Sequence, residues 1–182
     1  QLSCKSSIEL MRWAKDKGLP VTCDVAMHQL YLTDDNLKGF NAQAYVLPPL
    51  RSNTDQQAIR RGLKDGTIDA ICSHHEPLNS TAKKAPFAES TPGISNFDTF
   101  MALACQLVRD EVLTLEQLVD KICINPAKIA GISEQYESIG GAVLVDPNLE
   151  WQVTTESMLS SGKNTPFFNQ QLQGRVVETF FG

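Results

Sequence analysis

The sequence predicts an α/β fold in which short parallel strands alternate with helices and give way to a smaller β-rich segment. Three observations carry this. Residues 19–25, 45–47 and 68–72 are short apolar runs, rich in β-branched residues where they are longest, as strands buried on both faces are. Segments with apolar residues at three- and four-residue spacing lie between and after them. Beyond Gly131 the pattern changes to runs that read as strands separated by turns.

The elements follow in order. A helix starts near Ser6-Ser7 with Glu9 behind them, turns Ile8, Met11 and Ala14 inward, and ends at Lys15, Lys17 and Gly18, where cations and glycine commonly close helices. Residues 19–25 form the first strand, and residues 33–40 are polar, a loop or short helix. Residues 45–47 form a second strand, stopped by Pro48-Pro49. Thr54-Asp55-Gln56-Gln57 begins a helix with Ala58, Ile59 and Leu63 inward, ending at Asp65-Gly66, and residues 68–72 are the third strand. Residues 73–96 have no period and hold Pro77, Pro86, Pro92 and Gly93. A loop of that length inside a domain is usually functional. Residues 97–109 form a helix with Phe100, Ala104 and Leu107 on one face. Thr114 and Gln117 form a capping box for a helix carrying Leu118, Val119 and Ile122 inward. Asn125-Pro126 supplies an N-cap and N1 proline for another short helix, ended by Gly131. Residues 140–147, 150–154 and 174–180 are the strands of the tail. Three parallel strands cannot close a barrel, which takes eight. They belong to a small open sheet or to the latter portion of a (β/α)8 barrel.

Composition excludes several classes of function. The 182 residues carry a net charge of −5 with scattered Lys and Arg, which argues against nucleic acid, since phosphate binding needs clustered positive charge. No apolar run approaches the ~20 residues of a membrane span, and no signal peptide opens the chain. Five cysteines, an odd number without a CxxC pair, are expected to be buried free thiols in a reducing compartment. The cytoplasm is the expected location. The chain opens without Met, directly before a helix, as a piece of a longer protein would.

Four features stand where chemistry is expected, at the C-terminal ends of strands. Ser73-His74-His75-Glu76-Pro77 follows the third strand. Adjacent imidazoles on an extended segment point to opposite sides, so hydrogen bonding within the loop is favoured over a shared metal. His28 lies just past the first strand, where a packed, hydrogen-bonded loop histidine is the plain reading. Pro48-Pro49-Leu50-Arg51 closes the second strand as a rigid turn, and residues 85–94 form a loop placed to cross a site. There is no Gly-rich phosphate loop, GxSxG elbow or HExxH helix.

At these residues the chain resembles the C-terminal portion of a dihydroorotase of the barrel-shaped amidohydrolase superfamily. Ser3-Cys4 and then Gly18-Leu19-Pro20-Val21-Thr22-Cys23-Asp24-Val25 are similar to the family's "HVST… GIPVTAEV". Ala26-Met27-His28-Gln29-Leu30 stands for "TPHHL", and Pro48-Pro49-Leu50-Arg51 for "NPPLR". Lys64-Asp65-Gly66-Thr67-Ile68-Asp69-Ala70-Ile71-Cys72-Ser73-His74-His75-Glu76-Pro77-Leu78 stands for "KDGTIDVIATDHAPH". Residues 113–130 resemble "LTLEQLVELLSTNPARILG". Lys163-Asn164-Thr165-Pro166-Phe167 and Gly174-Arg175-Val176-Val177 resemble "KNSPF…GRVV". The resemblance covers essentially the whole chain but only the later part of such an enzyme, without the segment bearing its first HxH pair. It selects the barrel: residues 1–131 as later βα units of a (β/α)8 barrel, and residues 132–182 as a β-rich segment of the appended small domain.

The departures fall on the family's functional positions. The metal-binding histidine of "HVST" is Gln1, and an amide is a poor zinc ligand beside imidazole. The aspartate of "TDH", which binds metal and accepts the water proton, is His74, so the catalytic position reads as vestigial. The substrate-contacting positions correspond to Leu47, Leu78 and Gly93, with Leu47 replacing asparagine and Leu78 replacing histidine. The scaffold positions Pro48, Pro49, Leu50, Arg51, Gly66, Pro77, Gly93, Asn125 and Pro126 persist. The resemblance therefore implies a non-catalytic dihydroorotase-like protein of pyrimidine biosynthesis. It would hold no cofactor and would support the quaternary structure of aspartate carbamoyltransferase. The alternative is an active zinc-dependent dihydroorotase whose first ligands lie outside this chain, with His74 as base or ligand. A split product is the third reading. A barrel cut before its sixth strand leaves an open sheet edge and needs either the missing N-terminal half or a second copy as partner.

Overall fold

In the computed structural model, which describes residues 1–135 and 140–181, two short strands run parallel at the centre: β1 (Asp24–Ala26) and β2 (Ala70–Cys72). Asp24 pairs with Ala70, Val25 with Ile71 and Ala26 with Cys72. Helix α1 (Lys5–Asp16) precedes β1, and α2 (Asn53–Lys64) lies in the crossover to β2. The amide of Leu2 donates to the Asp24 carbonyl at 2.8 Å, so the segment before α1 runs beside β1 as a further strand would.

Packing explains the choice of residues. Ile8 of α1 and Ile59 and Leu63 of α2 are fully buried with Ile68, Val25 and Met27, each such side chain contributing about 1.5–3 kcal/mol. Gly62 stands inside α2 because a Cβ there would lie 3.0 Å from Ile8 and 3.3 Å from Ile68. The helix thus gives up helix propensity to let α1 and β2 approach.

Several expectations are corrected. Residues 45–47 form no strand: Ala42–Ala44 is a 3₁₀ turn, and the Tyr45 carbonyl accepts from the Gly93 amide of the long loop rather than from a ladder. The first strand begins only at Asp24, because the Cys23 amide is taken by the Asp69 side chain at 2.8 Å. Asn125 is not an N-cap. Helix α4 (Leu115–Val119) runs through a π-helical turn (Asp120–Ile124) directly into α5 (Asn125–Ala130), and Asn125 donates instead to the Asp69 carbonyl at 3.0 Å. The capping box at Thr114 is present, with Gln117 and Thr114 exchanging bonds of 2.9 and 3.2 Å. Gly131 ends α5 in the left-handed conformation.

Helix α3 (Phe97–Arg109) buries Leu103, Ala104 and Leu107. Against it lies β4 (Gln171–Phe180), antiparallel to β3 (Ala142–Gln152). The two strands expected at 140–147 and 150–154 are one strand, broken in register between Asp146 and Glu150. Gly174 has φ +103° and leaves no room for a Cβ, which would sit 3.0 Å from Cys105. Most of this ribbon is exposed, including Val143, Leu144, Val177 and Phe180. Residues 136–139 and 182 of the β-rich segment lie outside the described residues. Among the described residues no helix is long and apolar enough to cross a membrane. All five cysteines are free, but against the expectation of burial only Cys23 is buried and the other four are partly accessible.

Candidate functional site

The strand ends are built from residues that the strands deliver directly. β1 passes into a buried 3₁₀ turn (Met27–Leu30) and β2 into Ser73-His74-His75-Glu76. The long loop returns alongside, pairing His75 with Ile94 in parallel fashion. His28 is thereby fully buried, and its ring stacks on that of His74 at 5.7 Å and 27°. His74 holds φ +44°, a left-handed conformation uncommon without glycine. Its Nε2 lies 3.5 Å from Glu76 Oε1.

Asn96 ties these pieces together. Its Nδ2 donates to the carbonyls of Ser73 (2.9 Å) and His74 (3.1 Å) and approaches His28 Nδ1 at 3.0 Å. Two carbonyl acceptors fix which end of the amide is nitrogen. Burial, reinforced by neighbouring His74, pushes the His28 pKa down to about 3, so the ring is neutral. His28 Nε2, His74 Nδ1 and Asn96 Oδ1 are buried without a hydrogen-bond partner. His75 turns the other way: its Nδ1 accepts from the amides of Asn96 (3.0 Å) and Phe97 (3.1 Å), and its ring stacks on Phe97 at 4.3 Å. Burial lowers its pKa. The two adjacent imidazoles thus do not converge.

Gln1 reaches the same edge and donates from Nε2 to Cys72 Sγ at 3.0 Å. Burial and the Asp24 carboxylate push the Cys72 thiol up to about 12, so it stays protonated.

Residues 6–180 match the amidohydrolase family. The chain belongs to that family.

Within the amidohydrolase family the chain is 39% identical over its full length to a dihydroorotase of Geobacter metallireducens. It is 42% identical over 98% of its length to a dihydroorotase-like protein of Pseudomonas aeruginosa. It spans 43% of the length of each. Among solved structures it superposes along its whole length on 42% of the L-hydantoinase (dihydropyrimidinase) from Arthrobacter aurescens, with a TM-score of 0.91 and 25% identity. It also superposes, over 98% of its length and 47% of the other chain, on the inactive dihydroorotase-like domain of the Chaetomium thermophilum CAD-like multifunctional protein. That match has a TM-score of 0.70 and 26% identity. The α/β fold of these relatives is the fold of this chain.

The resemblance to dihydroorotases implies a divalent metal at these strand ends, and the residues this chain supplies do not fit one. Gln1 presents its amide nitrogen to Cys72 Sγ, and His75 Nδ1 is taken by the backbone amides of Asn96 and Phe97. Among the described residues no three His, Cys, Asp or Glu side chains are placed to hold a metal ion.

The positions matching the family's substrate contacts are only partly brought together. Gly93 is tied to Leu78 through Asn164, whose Nδ2 donates to the Gly93 carbonyl (3.0 Å) and whose Oδ1 accepts from the Leu78 amide (2.7 Å). Gly93 has φ +130°, and a Cβ there would lie 2.7 Å from the Glu76 carboxylate. Leu47 is 54% exposed. Its following residue Pro48 accepts from Gln29 at 2.9 Å. Sequence reasoning missed Asn96 and did not assign Asn164 a role. Asn96 stands where an N-cap is expected, but its side chain makes no cap bond. Asn164 lies in the Lys163-Asn164-Thr165-Pro166-Phe167 stretch, where its near-complete burial was the missing information.

Proposed function

We propose that this chain is the later part of a (β/α)8 barrel in a dihydroorotase-like protein that has lost hydrolysis and keeps its fold as an assembly surface. The observation that carries the reading is the donor set at the strand ends. The position matching the family's catalytic aspartate is His74, in strained backbone beside the neutral, buried His28, and the matching metal position is the Gln1 amide. A barrel hydrolase needs an acid or free imidazole aimed at one point, and here His75 is turned to backbone amides and Gln1 to Cys72. The inactive dihydroorotase-like domain to which the chain superposes supports the same reading. Its partner is then aspartate carbamoyltransferase in cytoplasmic pyrimidine biosynthesis, with the rest of the barrel supplied by the missing N-terminal half or a second copy.

Co-isolation of the full-length protein with aspartate carbamoyltransferase, together with an assay of dihydroorotate hydrolysis, tests this. A stable complex without turnover is expected, and turnover at rates typical of enzymes, roughly 1–10³ s⁻¹, contradicts it.

One observation favours the alternative of an active hydrolase: the His74–Glu76 pair is a carboxylate-supported imidazole of the kind that serves as a general base. That reading requires His74→Ala to abolish any activity found.

A further inference from the structure

Residues 73–96 leave the strand ends and return to them on a fixed base. Asn164 holds both legs: its Oδ1 accepts from the Leu78 amide at 2.7 Å, and its Nδ2 donates to the carbonyls of Glu76 (2.9 Å) and Gly93 (3.0 Å). The Glu76 amide donates across to the Ile94 carbonyl at 2.9 Å. Gly162 passes so close to the Leu78 backbone that a Cβ would lie 2.4 Å from its amide nitrogen. The base is pinned on every side.

Beyond the base the loop is built differently. The Thr91 amide donates to the Ala82 carbonyl at 3.0 Å and closes residues 82–91 into a compact Ω-loop. Inside it, the amides of Glu89 (2.8 Å) and Ser90 (3.0 Å) both donate to the Pro86 carbonyl. No side chain of residues 79–91 belongs to the hydrophobic core. The hydrogen bonds and ring contacts that run from this segment to the rest of the described residues end on Tyr45 and Phe40. Lys83 Nζ donates to the Tyr45 carbonyl at 3.2 Å and lies 5.9 Å from its ring centre. The Phe87 ring lies 4.8 Å from that of Tyr45 and 6.3 Å from that of Phe40.

Phe40 is the unusual member. It is 81% exposed and holds φ +57° directly after Gly39 at φ +72°. A bulky residue in that region is strained, and the contact with Phe87 is what the strained backbone delivers. We propose that residues 79–91 are a flap that opens as one unit while its base stays closed, with Phe87 on Tyr45 and Phe40 as the latch. A segment held by few contacts and lacking core side chains opens locally, without the rest of the fold. Asn79, Ser80 and Lys83 of the flap share a cavity of about 430 Å³ with Lys163 and Asn164, so opening widens that cavity towards solvent. The inference does not depend on whether hydrolysis is lost.

Hydrogen exchange of the full-length protein, resolved to single amides, tests the proposal. In the unaltered protein the amides of Glu89, Ser90 and Thr91 should share one opening equilibrium. It should be at least about tenfold easier than the one protecting Glu76, Leu78 and Ser95 at the base. Phe87→Ala should speed exchange of the flap amides about tenfold, the worth of an aromatic pair, and leave the base amides within about twofold. Lys83→Met should speed them about threefold, and Leu10→Ala, on the exposed side of α1, should change nothing. Phe40→Gly separates a latch from turn geometry. Glycine suits φ +57° better, so a purely local role predicts slower exchange and a latch predicts faster exchange. If Phe87→Ala fails to fold, Lys83→Met and Phe40→Gly decide. Unrelated opening of the three flap amides, flap and base exchanging in step, or unaltered flap exchange in Phe87→Ala overturns the proposal.

Discussion

The two ends of the same pair of strands treat polar groups in opposite ways. At the N-terminal end the polar side chains of Asp69, Asn125 and Lys121 have partners. Asp69 accepts from the Cys23 amide at 2.8 Å and pairs with Lys15 at 2.7 Å, Asn125 donates to the Asp69 carbonyl, and the buried Lys121 donates to the Ile68 carbonyl. At the C-terminal end, Asn96 satisfies two carbonyls while His28 Nε2, His74 Nδ1 and its own Oδ1 go unpaired. In (β/α)8 barrels the N-terminal end carries stability and the C-terminal end carries function. The difference teaches that the network holding these strands in register is satisfied by residues distant in sequence, whereas the polar groups gathered at the other end are not.

Breaking the satisfied end should cost most. Asp69→Ala strips partners from Lys15 and the Cys23 amide together and should destabilise by about 3 kcal/mol, read by chemical denaturation; a loss under about 1 kcal/mol would erase the contrast. Acid should act next, and at the other end. His28 has a folded pKa of about 3 against 6.5 unfolded, so the unfolded state binds more protons throughout that window. Stability should therefore fall as pH drops below about 6.5, by about 1.4 kcal/mol per unit, until the folded value is reached. His28→Phe should flatten that slope.

Asn96→Ala should cost about 2 kcal/mol by leaving two carbonyls without a donor. Thermal unfolding checks this. The smallest effect should have the opposite sign: His74→Gly removes an unpartnered buried nitrogen and the strain of φ +44°, and should stabilise by up to about 1 kcal/mol. If His74→Gly destabilised strongly, the His74–Glu76 contact would be a structural element and the two ends would be alike.

Much of the scaffold was legible because it rests on local rules. The helices at 53–64 and 97–109 follow from apolar spacing, and the Thr114–Gln117 box formed as its residues dictate. What was not legible depended on groups distant in sequence. Residues 45–47 look like a strand, yet their backbone answers to Gly93 and Lys83, 38 and more residues on. Asn125-Pro126 looks like a helix start, yet Asn125 is drawn to Asp69, 56 residues away, and the helix continues through it. At the site, strand-end logic located His28, His74 and His75. It could not locate Asn96 or Asn164, because an asparagine in a loop carries no sign that its amide will bridge two segments.

Zinc content of the full-length protein, measured by elemental mass spectrometry after extensive dialysis, bears most directly on the loss of the hydrolytic site. The donor set at Gln1, Cys72, His28 and His74 predicts less than about 0.1 zinc per chain. One or two tightly held zinc ions per chain would contradict it and make dihydroorotate hydrolysis the reaction to assay.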